Sequence, residues 1–270
     1  MKNVSWFIAA ALAASIGSAV ADERFFGYTY EADVLPKGKW EFEQWITYRQ
    51  GYPKGDRQFS NHLWDFREEM EYGITDRLSA ALYLNFRSEQ FVAREEGLQN
   101  ESNFSFKGVS SEIKYQLLNP NTKPVGLALY FEPTYNGDEI ELEEKILLSK
   151  TFNDKWVAAL NLTLEQEWKK EDGTTEKESV FEVSAGVAYR FTPHWSAGLE
   201  GRFHSVYEGH GFNHHLGTGW FAGPNVHYGS SKWWATLTAL PQITGNPSDG
   251  GLNFTEHQKF EVRLIAGINF

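Results

Sequence analysis

Beyond residue 38, apolar and polar side chains alternate along the chain in runs of 10 to 14 residues, separated by clusters of Asn, Asp, Gly, Ser and Pro. The last run shows the pattern. Phe260, Val262, Leu264, Ala266, Ile268 and Phe270 fall on one face of an extended strand, and Lys259, Glu261, Arg263 and Asn269 on the other. Leu78, Ala80, Leu82, Leu84 and Phe86 also share a face, as do Trp156, Ala158, Leu160, Leu162 and Leu164, and Phe181, Val183, Ala185, Val187, Tyr189 and Phe191. Period two predicts twelve strands, at 39–49, 62–74, 78–88, 105–117, 125–135, 140–152, 156–168, 178–191, 195–205, 218–228, 233–242 and 259–270. Each is close to the roughly 9 to 11 residues that cross a bilayer at a tilt.

Two stretches resist the pattern. Glu68 falls on the apolar face of Trp64, Phe66, Met70 and Tyr72, and 140–152 gives no single register. A third, Trp220-Phe221-Ala222-Gly223-Pro224-Asn225, predicts a bulge or bend, because Pro cannot donate to a ladder and Gly weakens a strand.

The connections sort by parity. Links 75–77, 119–124, 153–155, 192–194 and 229–232 are short and turn-rich, while 50–61, 89–104, 169–177, 206–217 and 243–258 are long and polar; only 136–139 breaks the alternation. Short turns at one rim and long loops at the other predict an all-β fold, a closed antiparallel up-and-down transmembrane β-barrel of about twelve strands. A secreted sandwich or jelly roll would not sort its loops this way.

Composition changes the picture in three ways. First, residues 1–21 carry one early cation (Lys2), an apolar stretch from Trp6 to Ile16, and Ala19-Val20-Ala21 before Asp22, the pattern of a cleaved signal peptide. The domains expected are therefore a signal peptide at 1–21, a periplasmic N-terminal lead-in at 22–38 and the barrel at 39–270. Phe25, Phe26, Tyr28 and Tyr30 of the lead-in would pack below the barrel or partly occlude its lower lumen. Second, 10 Trp, 12 Tyr and 20 Phe suit aromatic girdles at two membrane interfaces, and the absence of Cys excludes disulfides and a lipoprotein anchor. Third, the net charge of −11, which becomes −12 without the leader and its Lys2, argues against nucleic-acid binding.

If the apolar faces meet lipid, the opposite faces line the lumen. The pore-lining candidates are Glu41, Glu43, Asp65, Arg67, Glu69, Glu71, Arg87, Glu112, Glu132, Glu165, Glu167, Glu182, Arg190, Glu200, Arg202, Glu261 and Arg263. Sets such as Asp65/Arg67/Glu69 and Glu200/Arg202 predict ion pairs, since an unpaired charge in a low-dielectric lumen is costly. The acidic surplus predicts a passive channel or transporter for small polar or cationic solutes. A non-conducting structural or surface-interaction barrel is the alternative, and an outer-membrane lipid-modifying enzyme comes third. His204, His210, His214 and His215 are ligand types for zinc or copper, but their spacing matches no compact motif, so neither a metal nor a cofactor is assigned. His204 and Ser205 are adjacent, which on a strand turns them to opposite faces, and no Gly-x-Ser-x-Gly elbow exists; no catalytic residue is assigned.

The leader ending Ala19-Val20-Ala21, the hairpins and the terminal Gly267-Ile268-Asn269-Phe270 resemble the Gram-negative outer-membrane β-barrel proteins. The blocks at 220–224 and 233–241 look like those of poorly characterised proteobacterial barrels. The resemblance implies outer-membrane localisation, contact with lipid and lipopolysaccharide, and recognition of Phe270 by the barrel-assembly machinery.

Overall fold

A computed structural model describes residues 23–52, 58–95 and 97–270. The expected signal peptide lies outside the described residues. Twelve strands follow in chain order: β1 (Trp40–Gly51), β2 (Phe59–Thr75), β3 (Leu78–Ala93), β4 (Glu101–Leu118), β5 (Gly126–Tyr135), β6 (Glu139–Phe152), β7 (Trp156–Glu171), β8 (Thr174–Arg190), β9 (Trp195–Glu208), β10 (His214–Gly229), β11 (Trp233–Asn246) and β12 (Phe260–Asn269). Each pairs antiparallel with its chain neighbours, and β1 closes on β12 with Glu41 opposite Asn269 and Gln50 opposite Phe260. Closure removes every sheet edge, as a strand-built membrane span requires.

The packing is inverted relative to a soluble domain. Leu82, Leu199 and Phe104 are more than 60% exposed on the outside of the wall, whereas Glu41, Glu200 and Glu261 are at most 2% exposed inside it. At the short-turn rim Trp40, Trp156, Trp195 and Trp233 stand outward, and each ring packs on a tyrosine: Tyr72, Tyr189 or, for the last two, Tyr228, at 4.5 to 5.0 Å between centroids. This is one interface girdle.

Three sequence expectations are refined. The strands at the long-loop rim run further than periodicity indicated: the segment expected as the loop 169–177 is a continuation of β7 and β8, turned by Asp172 and Gly173 at φ 48° and 80°. Positive φ at both central residues is the tight hairpin turn that Asp-Gly favours. Likewise β3 and β4 reduce the loop 89–104 to 94–100. Above the bilayer neither face must be apolar, so the ladder continues where alternation no longer marks it. In β6 the register places Glu141, Glu143, Lys145, Leu147 and Ser149 inward, and Glu144 outward beside Leu164. One apolar residue inside and one acid outside had cancelled the signal. Glu68 does face outward, where Gln44 Nε2 donates to its Oε1 at 3.3 Å. The expected bulge in β10 is a register shift against β11 between Trp220 and Phe221.

Residues 23–38 form no regular element and run inside the cylinder. Phe25, Phe26, Tyr28, Tyr30, Ala32 and Leu35 are buried; Phe25 and Phe26 pack with Val157 and Ala159, Tyr28 with Phe221 and Leu240, and Tyr30 and Ala32 with Trp45, Tyr130, Leu147 and Trp234 of the wall. These aromatics thus lie within the lower lumen.

Candidate functional site

An irregular segment in a dry lumen must find partners for its backbone amides and carbonyls. The inward positions of the strands supply them. Glu200 of β9 accepts from three successive amides, Gly27 N at 3.0 Å, Tyr28 N at 2.8 Å and Thr29 N at 2.6 Å. Asn161 of β7 pairs with both backbone groups of Tyr30: its Oδ1 accepts from the amide at 2.6 Å and its Nδ2 donates to the carbonyl at 2.8 Å. Ser149 and Gln116 do the same for Ala32, at 2.9 Å each. Asn225 and Thr236 hold the carbonyls of Phe25 and Arg24. Beyond the crossing, Gly38 N donates to Gly73 O at 2.7 Å and the chain enters β1.

Space is also provided. A Cβ at Gly186 of β8 would lie 2.5 Å from the Phe26 ring, so this wall position is shaped around the segment. Two guanidiniums stack on the Tyr28 ring, Arg263 at 3.9 Å and Arg202 at 4.3 Å from its centroid. Residues 23–38 are thus an internal plug that crosses the lumen near the short-turn rim.

Above the plug lies a vestibule of about 590 Å³, with Tyr28, Tyr30 and Trp45 among its lining residues. Of the pore-lining candidates, Asp65, Arg67, Arg87, Glu132, Glu165, Glu167, Glu182, Arg202 and Arg263 border it. Glu41, Glu43, Glu69, Glu71, Glu112, Glu200 and Glu261 are instead buried below or behind it, each at most 3% exposed. Arg190 sits at the short-turn rim, where its guanidinium stacks on Phe25 at 4.6 Å and donates to Asp154 O at 3.3 Å. Sequence reasoning missed Glu141, Glu143 and Lys145, which border the vestibule from β6; the broken alternation of that strand hid them.

The vestibule charges form two arcs. Arg263, Arg49, Arg67 and Arg87 stand on the contiguous strands β12, β1, β2 and β3. Glu132, Glu139, Glu141, Glu143, Glu165, Glu167 and Glu182 stand on β5 to β8, across the lumen. Adding Asp65 and the cations Lys107, Lys145, Lys169 and Arg202 brings the lining to eight of each sign among the described residues. Among the described residues the formal charges of this cavity therefore balance, and a surplus of acid lies in the buried wall outside it. Arg202 ties several groups together, donating to Glu182 at 3.1 Å through Nε and to Glu261 at 2.5 Å through Nη1. Asp65 accepts from Arg87 Nε at 2.7 Å and also pairs with Arg49, Arg67 pairs with Glu132, and Lys145 Nζ lies 2.8 Å from Glu143 Oε1.

The histidines disperse rather than converge. His204 Nδ1 meets His257 Nε2 at 3.2 Å, His210 Nε2 meets Glu167 O at 3.0 Å, His214 pairs with Glu208, and His215 packs on Tyr207. His257 comes from the loop 247–259, which folds into the mouth and is fixed by Asn253, whose amide and carbonyl bond the two ends of the Gln242 side chain at 2.5 and 2.9 Å.

Comparison with solved structures places this architecture among outer-membrane barrels. The COG4313 outer membrane channel from Pseudomonas putida F1 superposes with a TM-score of 0.64 at 12% identity, over 88% of this chain and 98% of that one. The translocator domain of autotransporter NalP from Neisseria meningitidis superposes at 0.52 and 8% identity, over 86% and 88%. At such identities the likeness is one of fold. In architecture the protein is a closed, twelve-stranded antiparallel β-barrel, the fold of these solved outer-membrane barrels. No curated protein matches the sequence. A family model does, over residues 18–270, and the chain belongs to the family of unknown function DUF6662.

Proposed function

We propose that the protein is an outer-membrane channel for small polar solutes, shut in this structure by residues 23–38. One observation carries the reading: a charged, solvent-sized vestibule of about 590 Å³ reaches inward to a plug that is held by hydrogen bonds rather than by continuous sheet. A barrel serving only as a scaffold needs no such cavity. Opposed arcs of opposite sign, within a lining whose charges balance as a whole, create a field across the lumen, which orients dipolar and zwitterionic solutes while giving little preference to a simple cation or anion. The solute class is accordingly small, polar and dipolar, in place of the cationic class that bulk acidity suggested. The fully packed lower lumen favours a second reading, a barrel that does not conduct.

Planar-bilayer recording separates the two. The purified barrel should be closed most of the time, while the double substitution Glu200→Gln, Asn161→Ala, which removes the charge that gathers three plug amides and the pair at Tyr30, should show frequent open events. If both proteins remain sealed, the non-conducting reading stands. No residue here is assigned to catalysis. The apolar outer wall would contact lipid and lipopolysaccharide, and Phe270 would be read by the assembly machinery.

A further inference from the structure

Below the vestibule, β1 and β2 bring like charges face to face. Glu41 is the direct partner of Glu71, and Glu43 of Glu69, so two rungs of one antiparallel ladder carry opposed carboxylates. Directly opposed like charges destabilise a sheet even at a wet surface. Here all four are at most 3% exposed, and Glu112 of β4 is 2% exposed close by. The cations within reach are Arg24 of the plug, whose Nη1 lies 3.8 Å from Glu43 Oε2, and Lys114, whose Nζ lies 3.7 Å from Glu71 Oε1. Among the described residues, Arg24 and Lys114 are the basic groups seen against these five buried acids. Such an excess is untenable unless protons or a cation make up the difference.

Geometry favours a cation at one point of this patch. Carboxylate oxygens of Glu43, Glu69 and Glu71 lie within 4.8 Å of one another. Glu69, one member of the group, is 3% exposed, and its Oε2 is sealed from solvent with no hydrogen-bond partner among the described residues. A buried carboxylate oxygen of this kind can serve a hard cation as a ligand atom. The donor set contains no nitrogen or sulfur, which selects a hard cation over zinc or copper. Among hard cations, magnesium retains several waters and demands an octahedral shell, whereas calcium takes carboxylates in one- or two-oxygen modes and tolerates irregular geometry. We propose that Glu43, Glu69 and Glu71 form a buried divalent-cation site, of the calcium type, that ties β1 to β2 beside the plug residue Arg24. The site stands independently of whether the barrel conducts.

Terbium provides the probe, because Trp45 Nε1 donates to Glu43 Oε2 at 2.7 Å and places an indole donor beside the ion. The full barrel without residues 1–21, folded in detergent and stripped with a chelator, is titrated with terbium while tryptophan-sensitised emission is followed. The expected result is saturation at one ion per chain, displacement by calcium, and affinity weakened by more than about a hundredfold in Glu69→Gln, beyond the roughly 10- to 100-fold lost with groups that only support a ligand. Glu141→Gln in the separate acidic group Glu139, Glu141 and Glu167 near the mouth should bind as the unaltered barrel does. Retained barrel mobility in unheated detergent gels identifies the variants that have folded. Should Glu69→Gln not fold, Glu43→Gln reads the same ligand set. Absence of saturable emission from the folded unaltered barrel would overturn the proposal, and protons then balance the patch. Binding that survives Glu69→Gln, or that is lost only in Glu141→Gln, would overturn it equally.

Discussion

At residue scale the plug depends on a few wall positions whose side chains have exchanged an ordinary barrel role for a local one. Gly186 is the sharpest case, since its missing Cβ is the space taken by the Phe26 ring, with 2.5 Å between them if a methyl were added. Substitution by Ala costs the plugged state about 1–3 kcal/mol, the usual range for overpacking, while the β7–β8 and β8–β9 ladders are untouched. Gly186→Ala should therefore raise the rate at which residues 23–38 become cleavable by protease, with no change in barrel melting measured separately; equal protection of the segment in both proteins would count against the fit described. Which inward residues became plug anchors was not legible in the sequence. Glu200, Asn161, Ser149 and Gln116 look like any other polar lumen position, and their partners are backbone groups of a segment more than 80 residues away in the chain. The faces themselves were legible, because wherever lipid lies on one side and polar lumen on the other, period two writes both environments into each strand.

At the scale of elements, strands and loops differ in how they keep their place. Strands are held by ladders that any alternating sequence can form. The loop 247–259 is held by particular contacts around Asn253 and His257, and it contains no periodicity from which its inward fold could be read. His257 stacks on Phe221, its Nε2 faces His204, and it lies within reach of the charges of Arg202 and His215. Burial, reinforced by His204, pushes the His257 imidazole down to about 3. The sign follows from linkage: a displaced loop would take up a proton near the ordinary histidine value of about 6.5, while the docked loop resists it until about 3. Docking is therefore fully favoured above pH 6.5 and weakens as pH falls below it. Hydrogen exchange of residues 247–259 should accelerate between pH 7.5 and pH 5, after correction for intrinsic exchange, and His257→Gln should abolish that extra acceleration. A loop whose corrected exchange is flat across this range would show that His257 does not control docking.

At the scale of the whole molecule, the barrel sorts its charge vertically as well as across. Acid without matching base is concentrated in the sealed lower wall, and the vestibule that a solute meets is balanced. Summing inward residues along the chain conceals this, because sequence position does not report which carboxylates are covered by the plug. Glu200 illustrates it: its carboxylate is occupied by three plug amides and does not border the vestibule, while Glu165 does. The balance makes a prediction about selectivity in the channel opened by Glu200→Gln, Asn161→Ala. In a salt gradient its reversal potential should lie near zero. Neutralising the acidic arc with Glu141→Gln, Glu143→Gln and Glu165→Gln leaves the arginines of β12 to β3 facing polar amides and should move the reversal potential toward the anion. Neutralising Arg67 and Arg87 to Gln should move it toward the cation. A solute with both charges separated by a few ångströms should slow ion flow through the unneutralised channel more than through either set of variants, since only there does the field have two poles. Reversal potentials that shift in the same direction for both sets would mean that ions do not pass between the arcs, and the transverse-field account of the vestibule would fail with them.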